Sequence, residues 1–385
     1  MGNVIEKIYF VGNGGCYHTM DFIRSMEKVL PTDSFSLVTD ITSAANAFGA
    51  IEKNDKTLAL FSIDGLLFFK NTAFGNVWRN GLKLLLTPIQ LLFLRRVIVD
   101  HKSCIIHAHT FYYGLLCWLA GFDYFFTPQG FELTERPKSS IIYAFLMSKV
   151  ISKAAYVFVD SEKMRQSCIN LGYSHVGIYQ YGVDTTRCLD KINTKERHVL
   201  VSNRGMEKNY RIHEILASRN RLDAFIPITF VYPLLSNDYY RMIKGSIDRR
   251  DKDIGTLEKQ ECYELYAQAL LVVSIPTSDS SPRSVYEAIF CGAPVATVNS
   301  QWVASLPESM RKRIIIIDPA DPNWLFEALK VAESINIKSF DPCQDSLNRF
   351  DQFVVAKTIW DAFYKPLLQS NPVEKLTKLN LQSEN

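Results

Sequence analysis

The chain has 385 residues, of which 22% are charged and 47% are hydrophobic, as in an ordinary soluble globular protein. This length exceeds the size at which a single hydrophobic core keeps growing, so we expect two domains. The 43 basic and 40 acidic side chains give a formal net charge of only +3, which excludes the strongly basic balance typical of nucleic-acid-binding proteins.

The eight cysteines are scattered along the chain, and they form no CxxC pair. A disulfide framework and a structural zinc site are therefore not expected, and a reducing cytoplasm is the predicted location. The amino terminus lacks a basic region followed by an apolar core, so no secretion signal is expected.

Short apolar strands alternate with helical patterns in the first half of the chain, which predicts a mainly parallel sheet with helices on both faces. The predicted strands cover residues 7–11, 35–39, 57–62, 103–108, 124–127 and 155–159. Helices are predicted in several gaps between them, for example at residues 18–29 and 140–152.

A glycine-rich turn, Gly12-Asn13-Gly14-Gly15, follows the first predicted strand. Glycines let a backbone approach a phosphate or a sugar closely, and the next helix would present its amino terminus there. Tyr17 stands where the third glycine of a dinucleotide fingerprint belongs, so the match to nicotinamide dehydrogenases is incomplete. A plain tight turn is an equally good interpretation.

Residues 66–99 combine apolar runs with basic side chains. Pro88 and Gln90 interrupt the most hydrophobic part, residues 84–94, which falls short of the roughly 20 apolar residues that cross a bilayer. Such a segment can lie in a membrane interface, with its cations near anionic headgroups. The alternative is a pair of buried core helices with ordinary basic rims.

Two polar features lie at the ends of predicted strands. His107 and His109 share one face of their strand, and no acidic or cysteine partner stands at ligand spacing, so structural hydrogen bonding is favoured over metal binding. Gln129 follows the next strand, in the run Thr127-Pro128-Gln129-Gly130-Phe131-Glu132. Glutamine can donate a hydrogen bond but cannot act as an acid or base near neutral pH.

The second half repeats the alternation after a polar run, DKINTKER, that predicts a linker. Strands are predicted at residues 198–201, 228–232, 269–275, 293–297 and 313–317. Two such sheets would define a cleft, and ligands of parallel sheets bind beyond the carboxyl ends of the strands. The predicted organisation is a first domain at 1–190, a linker at 191–197, a second domain at 198–352, a helix at 353–369 crossing back to the first domain, and a disordered tail at 370–385.

The most informative stretch, residues 271–298, combines a buried strand, a polar turn and a helix. Backbone N–H groups and the positive end of the helix dipole attract anions such as phosphates to the turn. Asp279 and Glu287 would repel a phosphate, so we expect them to accept hydrogen bonds from hydroxyls, which are dense in sugars and ribose. The alternative is a plain crossover whose acids only cap and solvate a helix.

This stretch resembles the donor-site signature of retaining glycosyltransferases with the GT-B fold, family 4 in particular. In that family two glutamates separated by seven residues precede Ala-Met-Ala-Cys-Gly-x-Pro-Val. Asp279 and Glu287 occupy the two acidic places here, and the matches continue at Ala288, Cys291, Gly292, Pro294 and Val295. Weaker blocks that also resemble the family are Gly14-Gly15, IIHAHTF, TPQGFE, Tyr181-Gly182-Val183-Asp184, and Arg204 with Lys208.

The resemblance implies an α/β fold of two Rossmann-like, doubly wound domains facing a central cleft. It implies that Glu287 binds the ribose of a nucleotide sugar and that Arg204 and Lys208 grip its diphosphate. The remaining implied residues are Asp279 and the turn after it for the sugar ring (Ser281, Pro282, Arg283, Ser284), the Gly14-Gly15 turn for the donor, and an acceptor or sugar-side set (His109, Gln129, Gly130, Glu132). Asp279, Arg204 and Lys208 would form the catalytic group.

Three positions depart from the family pattern. Asp279 is one methylene shorter than the usual glutamate, Lys208 follows Arg204 by four positions instead of five, and Gln129 replaces a histidine. The shorter Asp279 leaves the reach to the sugar hydroxyls, and with it the sugar's identity, open.

The resemblance therefore implies a retaining enzyme that needs no metal or cofactor. It would move a hexose or N-acetylhexosamine from a nucleotide diphosphate sugar, with UDP-sugar favoured and GDP-sugar second, to a saccharide acceptor. The basic apolar segment favours a lipid-linked acceptor at the inner membrane face, as in bacterial surface polysaccharide biosynthesis. A GT-B nucleotide-sugar epimerase and a noncatalytic saccharide-binding protein remain as alternatives.

Overall fold

The computed structural model describes residues 7–31, 33–41, 57–66, 68, 73–192, 197–336 and 339–368. The chain divides into two compact units. Unit 1 comprises Met1–Gly182 and Gln352–Asn385, and unit 2 comprises Val183–Asp351. The predicted tail at 370–385 and residues 193–196 of the predicted linker lie outside the described residues.

Unit 1 contains a seven-stranded sheet. Its strands are β1 (Lys7–Val11), β2 (Phe35–Thr39), β3 (Thr57–Ala59), β4 (Cys104–His109), β5 (Phe125–Thr127), β6 (Tyr156–Val159) and β7 (Val176–Ile178). All neighbours pair in parallel, in the order β3-β2-β1-β4-β5-β6-β7. The chain builds outward from β1 to β3 and then crosses to the other side with β4, so the strand order reverses between β1 and β4. Such switch points are where open α/β sheets bind ligands.

Helices cover both faces of this sheet, as parallel crossovers require. Those before the chain enters unit 2 are α1 (Tyr17–Glu27), α2 (Ala73–Val97), α3 (Phe111–Ala120), α4 (Gly130–Thr134), α5 (Arg136–Ser139), α6 (Ile141–Lys153) and α7 (Glu162–Asn170). Apolar side chains on each face form a separate cluster, one containing Val11, Ile106 and Phe126, the other containing Phe10 and Phe158.

Unit 2 contains a six-stranded parallel sheet in the order β10-β9-β8-β11-β12-β13. Its strands are β8 (Val199–Ser202), β9 (Ile228–Val231), β10 (Lys252–Gly255), β11 (Ala269–Ser274), β12 (Val295–Val298) and β13 (Ile314–Ile317). Its helices are α8 (Thr185–Leu189), α9 (Ile212–Arg219), α10 (Asn237–Ile243), α11 (Lys259–Ala267), α12 (Arg283–Phe290), α13 (Gln301–Ala304), α14 (Glu308–Arg311), α15 (Trp324–Asn336) and α16 (Gln344–Phe350). The strand order reverses between β8 and β11, which makes this pair the switch point of unit 2.

The sequence predicted eleven of the thirteen strands that the described residues form, with ends within three residues. It did not predict β7 and β10. Both are short edge strands, and neither has the apolar run that marked the others: β7 contains Gly177, and the first three residues of β10 are exposed.

The chain returns to unit 1 through a helical stretch at 352–368. It consists of α17 (Gln352–Ile359), one π-helical segment (Trp360–Tyr364) and α18 (Lys365–Leu368). Phe363 and Tyr364 pack with Phe125 and Phe158 of the sheet. The Tyr364 hydroxyl also hydrogen-bonds His107 Nδ1, and both residues are fully buried. This contact ties the returning helix to the middle of the sheet.

Helix α2 differs from the prediction of two helices at residues 66–99. Residues 67 and 69–72 lie outside the described part of the chain. Helix α2 is a single helix of 25 residues with Pro88 inside it. Leu84, Leu85 and Leu92 are 73%, 76% and 68% exposed, whereas Gln90 on the opposite face is buried. The alternative of two buried core helices is therefore wrong. No helix within the described ranges combines the length and the apolar content that spanning a bilayer requires.

We expect the hydrogen bond between Tyr364 and His107 to contribute measurably to the free energy of unfolding. Tyr364→Phe removes the hydroxyl and leaves a buried imidazole nitrogen without its partner, which should lower the free energy of unfolding by about 1 to 3 kcal/mol. Tyr240→Phe is the matched control, because the Tyr240 hydroxyl contacts Asp253 in an exposed part of unit 2. Urea unfolding of both variants is the measurement, and an equally small loss in both would contradict this role of Tyr364.

Candidate functional site

The loops that follow β8 and β11 are joined to each other at the switch point of unit 2. The backbone carbonyl of Asn209 accepts a hydrogen bond from Thr277 N (2.7 Å). The Asn209 side chain donates Nδ2 to the Ser278 carbonyl and accepts from Ser278 N at Oδ1 (3.1 Å each). Arg211 donates Nε to the Ile275 carbonyl (2.9 Å). Arg211 has a φ of 50°, a left-handed conformation that non-glycine residues rarely adopt, and its side chain joins this loop to the end of β11.

Arg204 is at the centre of this junction. Its guanidinium forms an ion pair with Asp279 Oδ2, donates Nη1 to Ser284 Oγ (2.9 Å), and lies 4.6 Å from the centre of the Tyr210 ring. Asp279 Oδ1 accepts from Ser281 N (3.3 Å). Both side chains of the ion pair are largely buried, so their contact is less screened by solvent than a surface pair. Arg204 thereby fixes the turn that opens α12.

Helix α12 begins at Arg283, directly after Pro282, and Glu287 lies on its buried face. Glu287 is 3% exposed and lies one turn beyond Ser284, so it is close to the Arg204 junction on the same helix. Its Oε1 forms an ion pair with Lys259, the first residue of α11. The structure therefore joins Arg204, Asp279 and Ser284 by direct contacts, places Glu287 one turn further along α12, and gives each acid a cation.

Lys208 does not join this group. It is exposed, in a short 3₁₀ segment (Lys208–Tyr210), and forms no ion pair with any residue that the structure describes. The neighbouring Glu207 is half-buried, and burial raises the pKa of its carboxyl while Arg204 opposes that shift. Glu207 was not predicted as a site residue, and it adds a further acid beside the guanidinium.

In unit 1 the predicted glycine turn follows β1 at the switch point of that sheet. Gly14 donates its N–H to Thr39 Oγ1 (3.0 Å), and a Cβ atom at Gly14 would lie 2.7 Å from the Ile41 carbonyl oxygen. Gly15 donates to Asn13 Oδ1 (2.8 Å). Close packing against the end of β2 therefore requires glycine at position 14, whatever ligand the turn meets.

Gln129 and Glu132 belong to the start of α4, which begins at Gly130. Glu132 Oε2 accepts from Phe111 N (2.9 Å) and from Gln129 N (3.2 Å), so one carboxylate caps both α3 and α4. Burial raises the pKa of Glu132, although these two hydrogen bonds favour its ionised form. The Gln129 amide donates to Cys16 Sγ (3.0 Å). Gln129 and Glu132 therefore each form hydrogen bonds within unit 1.

His109, predicted on the acceptor or sugar side, lies inside unit 1. It is 2% exposed, with its ring centre 4.5 Å from that of His107 and 4.7 Å from that of Phe22. Burial lowers the pKa of His109 to about 3, so the ring is neutral at neutral pH. His107 is hydrogen-bonded at both ring nitrogens, to Tyr364 and to Thr127 Oγ1 (2.8 Å), as expected for a structural histidine.

The structure adds a polar cluster that the sequence did not predict. Asp40, directly after β2, is completely buried and accepts a hydrogen bond from Tyr113, while its Oδ2 lies 3.5 Å from Lys83 Nζ. Lys83 lies 4.5 Å from the centre of the Tyr112 ring. Burial lowers the pKa of Lys83, and Asp40 opposes the shift. No local signal marks these residues, because the cluster joins β2, α2 and α3.

Within the described ranges, no three or more histidine, cysteine, aspartate or glutamate side chains lie together as a metal ion would require.

Comparison with known proteins gives matches of structure alone. No family model matches the chain, and no curated protein sequence matches it. Sucrose-phosphate synthase from Thermosynechococcus elongatus is similar with a TM-score of 0.71 at 13% identity, covering 95% of this chain and 100% of that one. Anabaena HepE in complex with UDP gives 0.68 at 13% identity, with 93% and 100% covered. A glycosyltransferase from Rickettsia africae gives 0.61 at 12% identity, with 94% and 99% covered.

These neighbours are GT-B glycosyltransferases, and their two-domain α/β fold is the fold of this chain. The predicted GT-B fold is confirmed. Identities of 12% and 13% establish the fold alone, and membership of family 4 stays a prediction.

The buried state of His109 predicts a pH dependence of stability. The folded pKa is lowered, so below about pH 6.5 the unfolded chain binds a proton that the folded chain does not, and stability falls as pH decreases from 6.5 towards about 3. Between pH 7 and pH 5 this single group should cost about 2 kcal/mol, from 1.5 pH units at about 1.4 kcal/mol each. Urea unfolding at both pH values measures it.

The comparison is with His109→Gln, which removes the titrating group. We expect the loss between pH 7 and pH 5 to be smaller in this variant by about 2 kcal/mol. An equal loss in wild type and His109→Gln would contradict the buried neutral ring.

Proposed function

We propose that this chain is a retaining glycosyltransferase of family 4 type that transfers a hexose or N-acetylhexosamine from a nucleotide diphosphate sugar to a saccharide acceptor. The observation that carries the proposal is the meeting of Arg204, Asp279 and Ser284 at the switch point between β8 and β11, with Glu287 one turn further along α12. This group combines a cation for a diphosphate with acids that accept hydroxyl hydrogen bonds.

A UDP-sugar is the favoured donor, and a GDP-sugar is the second candidate. HepE, one of the structural neighbours, has been solved with UDP and with UDP-glucose. In the proposed complex Glu287 accepts hydrogen bonds from the ribose hydroxyls, and Ser281, Pro282, Arg283 and Ser284 supply the turn and helix start that face the donor. For the Gly14-Gly15 turn we propose a close backbone approach to a sugar or phosphate.

Arg204 is the proposed stabiliser of the leaving diphosphate. Its planar guanidinium matches two phosphate oxygens at once, and negative charge grows on them as the bond between the sugar's anomeric carbon and the phosphate oxygen breaks. Because Arg204 pairs with Asp279 in the structure, the incoming diphosphate must share or replace that contact. Exposed Lys208 is a second, mobile cation for the diphosphate.

The acceptor hydroxyl attacks the anomeric carbon on the face from which the diphosphate leaves, and a phosphate oxygen takes its proton. This front-face course retains the configuration and needs neither a metal ion nor a cofactor. Asp279 orients the Arg204 guanidinium through their ion pair, and it accepts a hydrogen bond from Ser281 N in the turn beside the sugar ring. The proposed acceptor or sugar-side set lies in unit 1 and consists of Gln129, Gly130, Glu132 and His109. Glu132 contributes indirectly by capping α3 and α4, and His109 contributes indirectly through its packing.

A lipid-linked saccharide is the proposed acceptor, as in bacterial surface polysaccharide biosynthesis, with the enzyme in the cytoplasm at the inner membrane face. Helix α2 supports this idea, because its exposed leucines Leu84, Leu85 and Leu92 lie on a helix that also exposes Arg95 and Arg96. Apolar side chains beside cations suit the boundary between acyl chains and anionic headgroups.

The proposed donor site is tested by substitution and ligand binding. A panel of UDP, GDP, ADP, CMP and their sugars in a thermal-shift assay identifies the donor, and nucleotide release is then measured with and without EDTA. Glu287→Ala should weaken nucleotide binding at least tenfold, or about 1.4 kcal/mol, whereas Arg204→Ala should lower kcat about 100-fold with a smaller change in affinity. Glu308→Ala and Arg241→Ala are the controls, since both remove exposed ion pairs of unit 2.

The same assays separate the alternatives. An epimerase converts the donor sugar without any acceptor, and a noncatalytic saccharide-binding protein binds without releasing nucleotide. Full activity in both Glu287→Ala and Arg204→Ala would show that this group is not the donor site.

Membrane contact is tested by flotation with vesicles that contain anionic lipid. We expect the protein to float with the vesicles, the bound fraction to fall with rising salt, and a double Leu84→Ser, Leu85→Ser variant to lose at least two thirds of the binding. Leu234→Ser, which alters an exposed leucine of unit 2, is the matched control. A wild-type protein that stays wholly unbound would rule out this contact.

A further inference from the structure

Glu287 poses an electrostatic problem for the function proposed above. Its carboxylate is buried, and a buried carboxylate without a partner is costly and would repel an approaching diphosphate. Two of its neighbours, Cys262 and Tyr263 of α11, carry no positive charge, and burial together with the charge of Glu287 raises the pKa of both side chains. Both therefore remain neutral at neutral pH.

Lys259 solves this problem in the structure. As the first residue of α11, it reaches across to α12, which packs beside α11, and its ammonium pairs with Glu287 Oε1. The Lys259 side chain is 47% exposed while that of Glu287 is 4% exposed, so the pair runs from the interior to the surface. The ammonium cancels the charge of the carboxylate and fixes the direction in which its oxygens point.

We infer that Lys259 is a positioning residue for donor recognition, which pairs with the Glu287 carboxylate and orients it to accept hydrogen bonds from the ribose hydroxyls of a nucleoside diphosphate. The inference rests on the proposed function and adds a residue to it. Lys259 acts through Glu287, so its removal weakens the discrimination of ribose more than it weakens the contacts of the base and the diphosphate. Arginine keeps the charge and a hydrogen-bond donor, and it therefore preserves most of the effect.

The experiment measures binding of UDP and of 2′,3′-dideoxy-UDP to the full chain by isothermal titration calorimetry. Wild type should bind UDP at least tenfold more tightly than the dideoxy analogue, because only UDP offers hydroxyls to Glu287. Lys259→Met should reduce that preference at least fivefold, and Lys259→Arg should restore it to within threefold of wild type. Lys312→Met, which breaks an exposed ion pair with Glu308 in the same unit, should leave the preference unchanged.

Two further variants keep the test decisive. Lys259→Gln removes the charge but keeps a hydrogen-bond donor, and it replaces the methionine variant in the comparison if that variant does not fold. In a Glu287→Gln background, Lys259→Met should change the preference less than twofold, because the group through which Lys259 acts is already altered.

The outcomes distinguish this inference from the function on which it rests. Wild type that prefers UDP over the dideoxy analogue, with the same preference in Lys259→Met or Lys259→Gln, overturns the role of Lys259 and leaves the donor site intact. Wild type that binds neither UDP nor GDP overturns the proposed function and the inference together.

Discussion

The contact between Arg204 and Asp279 is the interaction on which the organisation of the candidate site depends. It joins a loop that follows β8 to a turn that follows β11, and these strands are neighbours only because the sheet reverses its order between them. Ser284 extends the contact to the start of α12, and α12 in turn presents Glu287. A single guanidinium therefore couples strand order, loop conformation and the placement of both acids.

Charge balance is the second constraint on this site. Two largely buried carboxylates, Asp279 and Glu287, are each matched by one cation, Arg204 and Lys259. Removing one member of such a pair leaves an uncompensated charge, so the four residues are expected to behave as a coupled unit. The same principle operates in unit 1, where completely buried Asp40 lies beside Lys83. Asp279 follows β11 and Asp40 follows β2, so both acids lie beyond the carboxyl ends of parallel strands, where such sheets bind ligands.

The sequence predicted the parts of the fold whose signal is local. Apolar runs marked the central strands, and the turn and helix start at residues 278–284 were visible from turn residues followed by a helical pattern. Edge strands β7 and β10 lacked that signal. Helix α2 was predicted as an apolar, basic segment, but which leucines are exposed depends on the neighbours that cover its other face.

Pairings between distant residues could not be predicted, because they depend on the packing of whole helices. Lys259 precedes Glu287 by 28 positions and is an ordinary lysine at the start of a polar helix. Lys83 and Asp40 are brought together by α2 and β2, whose packing no short motif records. Conversely, Glu132 and His109 were singled out as ligand-side residues by resemblance, and the structure gives them local roles in helix capping and in the aromatic core. A motif identifies the type of side chain at a position, whereas the packing of the fold determines whether that side chain is exposed to a ligand.

The most direct test of the central claim is a crystal structure of the chain with UDP bound. The account predicts that the diphosphate oxygens lie within hydrogen-bonding distance of the Arg204 guanidinium and that the ribose hydroxyls contact the Glu287 carboxylate, with Lys259 still paired to it. UDP bound at a place where it touches neither Arg204 nor Glu287 would contradict the account.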